Sequence, residues 1–140
     1  MLYEKIDKDS KNIVFVYTTC GSIEEARDIG YSAIKEKLAI SADYWLIGSI
    51  YPWNNVIQEG DQCMLVFATQ KIISDALMKH IETEHSYSVP VIVRCDTAVT
   101  NQSYHFWADN ILTSKEEYIT ETEDETKKKD EKNSPYEKFN

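Results

Sequence analysis

The stretch I-V-F-V-Y-T-T-C-G-S-I-E-E-A-R-D-I-G-Y-S-A-I-K-E-K-L, residues 13 to 38, decides the fold class. Its first seven residues, Ile13 to Thr19, are all β-branched or aromatic and read as a buried strand. Ser22 then stands three residues before Glu25, a capping box. Ile23, Ala26, Ile29 or Gly30, Ala33, Ile34 and Leu38 follow at helical spacing. A helix is expected from Ile23 to Lys37.

Downstream, Ala39 to Trp53 is rich in Ile, Tyr and Trp and is interrupted by Gly48 and Pro52, which suggests a long strand that bends or bulges. Pro52 needs a sheet edge or a partner chain, because it has no N–H to give to a ladder. Asn54-Asn55 offers turn chemistry, Gly60 is expected to close the turn, and Asp61 to Thr69 is again strand-like, so the two strands form an antiparallel hairpin. From Lys71 to His85, residues Ile73, Ala76, Leu77, His80 and Ile81 share one helical face. Val89 to Cys95 reads as a fourth strand, and Ser103 to Leu112 as a short helix burying Phe106, Trp107 and Ile111. The order βαββαβ plus a helix is an α+β, ferredoxin-like arrangement with two helices on one sheet face. The other face, with Trp45, Tyr51 and Trp53 to shelter, is expected to be covered by self-association.

The chain has 140 residues, a length typical of one domain. Residues 113–140 hold nine acids and six bases and few apolar groups, so they are expected to form a charged, disordered tail; residues 1–112, with a core from about residue 11, form the domain. A net charge of −9 would repel a phosphate backbone, which argues against nucleic acid as a partner. The apolar runs fall far short of the ~20 residues that span a bilayer, and the first ten residues lack the apolar stretch of a secretory signal, so a cytoplasmic protein with no membrane role is expected. Cys20, Cys63 and Cys95 form no C-x-x-C pair and are read as reduced thiols.

Chemical motifs are sparse. His80 and His85 are five residues apart, about 140° round a helix axis, and cannot face one ion together. His80 lies on the apolar stripe, where a core histidine with a partner such as Glu84 is the plainer reading. His85 falls at a helix end and is either a cap or a metal ligand. Cys20 precedes a helix N-terminus, which favours a thiolate, although a buried thiol is the simpler reading. Neither G-x-x-x-x-G-K-[ST] nor G-x-G-x-x-G occurs, and no nucleophile with a base can be named.

The strings E-K-L-A at Glu36, S-I-Y-P-W at Ser49 to Trp53, I-Q-E-G-D at Ile57 to Asp61, H-S-Y-S-V-P at His85 to Pro90 and S-Y-H-F-W at Ser103 to Trp107 occur in this order. Together they resemble the CutA family of divalent-cation tolerance proteins. The resemblance implies a ferredoxin-like subunit in a homotrimer related in architecture to PII-type signalling proteins. It also implies a part in divalent-cation and copper tolerance, by binding or scaffolding rather than as an enzyme. It places Tyr51, Trp53, Glu59, Thr69, Tyr87 and Trp107 in an intersubunit ligand cleft and His85 as a metal ligand. Where the family pattern has a cysteine this chain has Ser41, where it has a glutamate this chain has Ser88, and two family lysines are missing, one of them at Ala68. No cofactor is required on this reading, and Cu(II) or another divalent metal is expected to bind only weakly. A PII-like trimer binding a small ligand is the alternative, weakened by the two missing lysines.

Overall fold

The computed structural model describes residues 9–120. The elements run β1 (Ile13–Cys20), α1 (Ile23–Lys35), β2 (Ser41–Trp53), β3 (Val56–Gln70), α2 (Lys71–Glu84), β4 (Ile92–Asp96) and α3 (Gln102–Thr113). The strands form one antiparallel sheet in the order β2-β3-β1-β4, the ferredoxin-like order expected. β2 lies at an edge, which is where Pro52 is tolerated.

Alternation along β1 divides the sheet into two faces. Val14, Val16, Thr18 and Cys20 are buried, and the residues opposite them on β3, namely Thr69, Phe67, Leu65 and Cys63, are buried with them. Ala26, Ile29 and Ala33 of α1 and Leu77 and Ile81 of α2 complete this core. Gly30 lets α1 approach β2 closely, since a Cβ there would stand 3.3 Å from the Ala42 Cβ. Ile23, expected on the buried stripe, is exposed at the first position of α1, where the helix has no preceding turn to pack it. On α2 the buried positions are Ser74, Leu77 and Ile81, while Ala76 is exposed. Ser74 is satisfied there by donating to the Lys71 carbonyl and accepting from Arg94.

Helix α1 ends in a Schellman arrangement: Leu38 N–H donates to the Ala33 carbonyl and Lys37 N–H to that of Ile34. Lys37 sits at the left-handed position, with φ 61°. The β2–β3 hairpin turns on Asn54 and Asn55, with φ 50° and 65° and Trp53 opposite Val56, a two-residue type I′ turn. Gly60 does not close the turn. It pairs with Ser49 inside the ladder, because two asparagines already supply the left-handed conformations and release 56–60 to the strand. From Val56 to Gln62, β3 pairs only with β2, so the tip of the hairpin is a two-stranded ribbon carrying Trp53 and Ile57, 53% and 78% exposed.

The second face of the sheet carries no helix over most of its area. Phe15, Tyr17, Trp45, Met64, Val66 and Val93 lie on it by register. Helix α3 covers only one end, where Ala108 and Leu112 pack on Ile13, Ile40 and Ala68. Asp109 anchors it by accepting from Gln70 at 3.0 Å and pairing with Lys11. Of the expected tail, residues 121–140 lie outside the described residues. The portion before them makes contacts: Tyr118 donates its hydroxyl to the Ile111 carbonyl, and its ring lies 3.6 Å from Lys37 Nζ.

Candidate functional site

The capping box at the start of α1 does more than end a helix. Ser22 Oγ accepts from the Glu25 N–H at 3.1 Å, as a cap should. The Glu25 carboxylate accepts from two other backbone groups, Gly21 N–H at 3.0 Å and Ser86 N–H at 2.8 Å. Burial pushes this carboxyl's pKa up, but the Ser86 and Gly21 hydrogen bonds outweigh it, and the net shift is downward. Glu25 therefore ties the loop after α2 to the end of β1.

His85 is held within the same knot, its side chain 0% exposed. Its Nε2 lies 2.8 Å from the Thr19 carbonyl, which can only accept, so Nε2 carries the proton. Nδ1 then accepts from the Tyr87 N–H at 3.1 Å. Both ring nitrogens are engaged. Ligating a metal would require one of these bonds to break and the ring to leave its buried position. His85 as it stands does not fit the metal role that the resemblance implies. Among the described residues no three His, Cys, Asp or Glu side chains converge as metal ligands.

What the knot does is present Tyr87. Its ring packs on His85 at 4.7 Å and over Gly21, and its hydroxyl donates to Gln62 Oε1 at 3.1 Å. Burial, followed by the charge of Glu25, raises the pKa of this phenol. Tyr87 thereby forms one wall of a cleft of about 650 Å³ between the hairpin and the 86–91 loop, with Tyr51, Trp53, Gln58 and Gln62 on the other side. Of the six expected cleft residues, Tyr51, Trp53 and Tyr87 meet there. Glu59, opposite Ile50, points to the other face of the ribbon from Tyr51 and Gln58. Thr69 is buried and donates to the Leu38 carbonyl at 2.8 Å, while Trp107 is half-buried on α3 beside Tyr104. Within the chain these three lie apart from the cleft.

Cys20 is not activated by the helix that follows. Burial first, then Glu25 and Cys63, push its thiol up to about 12, and burial raises Cys63 as well. His80 has the Glu84 partner expected of it, at 4.0 Å, and one not foreseen, Ser32 Oγ on α1 at 2.7 Å. The serine hydroxyl donates to Glu84 at 3.2 Å, so His80 Nε2–H donates to the serine. That direction is opposite to the one a nucleophile and its base require, and the carboxylate sits beside the serine rather than on Nδ1. The signal for Glu25 was legible in the S-x-x-E spacing; its partner Ser86, 61 residues away, was not.

The divalent-cation tolerance protein CutA of Thermococcus kodakarensis is 29% identical over 99 residues, which cover 71% of this chain and 95% of that protein. Protein CutA 1, chloroplastic, of Oryza sativa is 30% identical over 98 residues, 69% of this chain but about half, 55%, of the rice protein. Its name gives the cytoplasmic expectation no support, although no described helix is long and apolar enough to cross a membrane. The crystal structure of the divalent ion tolerance protein CutA1 from Ehrlichia chaffeensis matches with a TM-score of 0.71 at 25% identity, over 74% of this chain and 97% of that one. These relatives lend nothing to the PII-type alternative. The sheet order, the hairpin and the 85–90 knot all lie within residues 14–111, the span matched by the family described as CutA1 divalent ion tolerance protein, and the chain belongs to that family.

Proposed function

We propose that this protein is a homotrimer that contributes to tolerance of divalent cations, copper among them, by binding or scaffolding rather than by catalysis. The observation that carries this reading is the sheet face that α1 and α2 leave bare and α3 covers only at one end. Phe15, Trp45 and Val93 stand exposed on it, and the hairpin ribbon projects beyond β1 with its apolar tip uncovered. A neighbouring copy packed on that face would shelter both. The names of the relatives support the cation role.

The cleft's own lining has no charged side chain, so cation binding there is weak at best. Expression in a bacterial strain that lacks its own CutA and is sensitive to copper tests the proposal. Growth restored in copper-containing medium supports it. Growth no better than with an empty vector, from protein shown to be folded and abundant, overturns it.

A further inference from the structure

We infer that the divalent cation is taken outside the cleft, by His80 and Glu84 on the side of α2 that faces Ser32 of α1. The inference rests on the cation-binding reading above and names its site. His80 and Glu84 stand one helical turn apart, so both side chains rise from the same face. Their Nε2 and Oε1 atoms are 4.0 Å apart, and the two side chains are 21% and 45% exposed. First-row metals hold imidazole nitrogen and carboxylate oxygen at about 2 Å, which places two ligands of one ion about 3 Å apart or a little more. A rotation of the exposed Glu84 side chain closes that gap.

A third group already marks the point between them. Ser32 Oγ lies 2.7 Å from His80 Nε2 and 3.2 Å from Glu84 Oε1, bridging the two as a bound ion or water would. Its hydroxyl is a poor metal ligand beside imidazole and carboxylate, so an ion competes with it rather than using it. On binding, His80 moves its ring proton from Nε2 to Nδ1. Nε2 is thereby freed as donor to the metal, and the ring loses no charge.

The contrast with His85 decides between the two imidazoles. His85 is fully enclosed and loses a buried hydrogen bond whichever nitrogen it offers. His80 gives up one half-buried hydrogen bond, to a serine that keeps its bond to Glu84 or takes a water. Glu84 also borders a shallow cleft of about 620 Å³ shared with Glu24, Glu25 and Asp28, whose negative potential draws cations toward this end of the helices. One imidazole and one carboxylate, with water in the remaining positions, suit Zn(II) or Cu(II). They suit neither the soft Cu(I) nor the all-oxygen preference of Ca(II).

Calorimetric titration of the full chain with Zn(II), in a Cys95→Ser background that removes the exposed thiol, tests this directly. Losing a ligand costs at least what losing a supporting partner costs, so His80→Ala and Glu84→Gln should each weaken binding roughly tenfold or more. His85→Ala should leave affinity within about twofold, and Ser32→Ala should tighten it two- to tenfold, about the worth of one hydrogen bond. In the unsubstituted chain the His80 ring resonances should shift on adding Zn(II) while those of His85 stay put, a readout independent of whether any variant folds. Wild-type affinity in both His80→Ala and Glu84→Gln overturns the inference. If His85→Ala then abolishes binding, the cation-binding reading survives with His85 as its ligand. No Zn(II) binding to the unsubstituted chain overturns the site and the cation-binding reading together.

Discussion

Replacing Glu25 by glutamine should destabilise the protein in a way that depends on pH. The carboxylate accepts two backbone hydrogen bonds, from Gly21 at 3.0 Å and Ser86 at 2.8 Å. A glutamine keeps one acceptor oxygen and turns an NH2 group toward the other N–H, so one charge-assisted bond is lost. Such a bond contributes about 2 kcal/mol. With melting entropy near 2 cal/mol/K per residue over the described part of the chain, that loss lowers the melting temperature by about 8 °C at neutral pH and fixed protein concentration. The pKa of Glu25 is lower folded than its ordinary 4.5, so its contribution is fully present above that value and fades as pH falls through the lower, folded pKa. Urea unfolding from pH 7 down through 4.5 should show a constant gap between wild type and Glu25→Gln above about pH 5. Below pH 4.5 the gap should shrink as the wild type loses its advantage. A gap that is absent at pH 7, or that stays constant on acidification, would refute the account of the 85–90 knot.

Tyr51→Arg places a cation on the sheet face proposed to meet a second copy and should break assembly, read as a fall in mass on gel filtration with light scattering, with the fold of the subunit retained. Asn55→Gly puts the residue best suited to φ 65° at the second position of the I′ turn and should raise stability by a few tenths to about 1 kcal/mol in chemical denaturation. Tyr118→Ala removes the ring that faces Lys37 Nζ and should cost about 1 kcal/mol, or roughly 4 °C in melting temperature.

Most of the fold was legible because its signals are local. The capping box placed α1 to the residue at its start, and β-branched runs placed β1 and the inner half of β3. Gly60 misled because glycine serves a turn and a strand interior alike, and only the pairing with Ser49 tells them apart. Tyr51, Trp53 and Tyr87, grouped by the family resemblance rather than by any spacing pattern, line one cleft. What could not be read was any contact between distant elements. Ser32 with His80 joins two helices across 48 positions, and Glu25 with Ser86 joins a helix start to a loop. Thr69 shows the same limit from the other side, since its hydroxyl is used up by the Leu38 carbonyl, a partner that no spacing pattern marks.

The central claim is that the bare sheet face closes against copies of the same chain, and the molar mass in solution tests it most directly. Sedimentation equilibrium from high to low micromolar concentration should give a single species near three times the chain mass of 16.2 kDa, unchanged by dilution. A 16.2 kDa monomer across that range would contradict the account, since Trp45 and the hairpin tip would then stand in water with nothing to cover them.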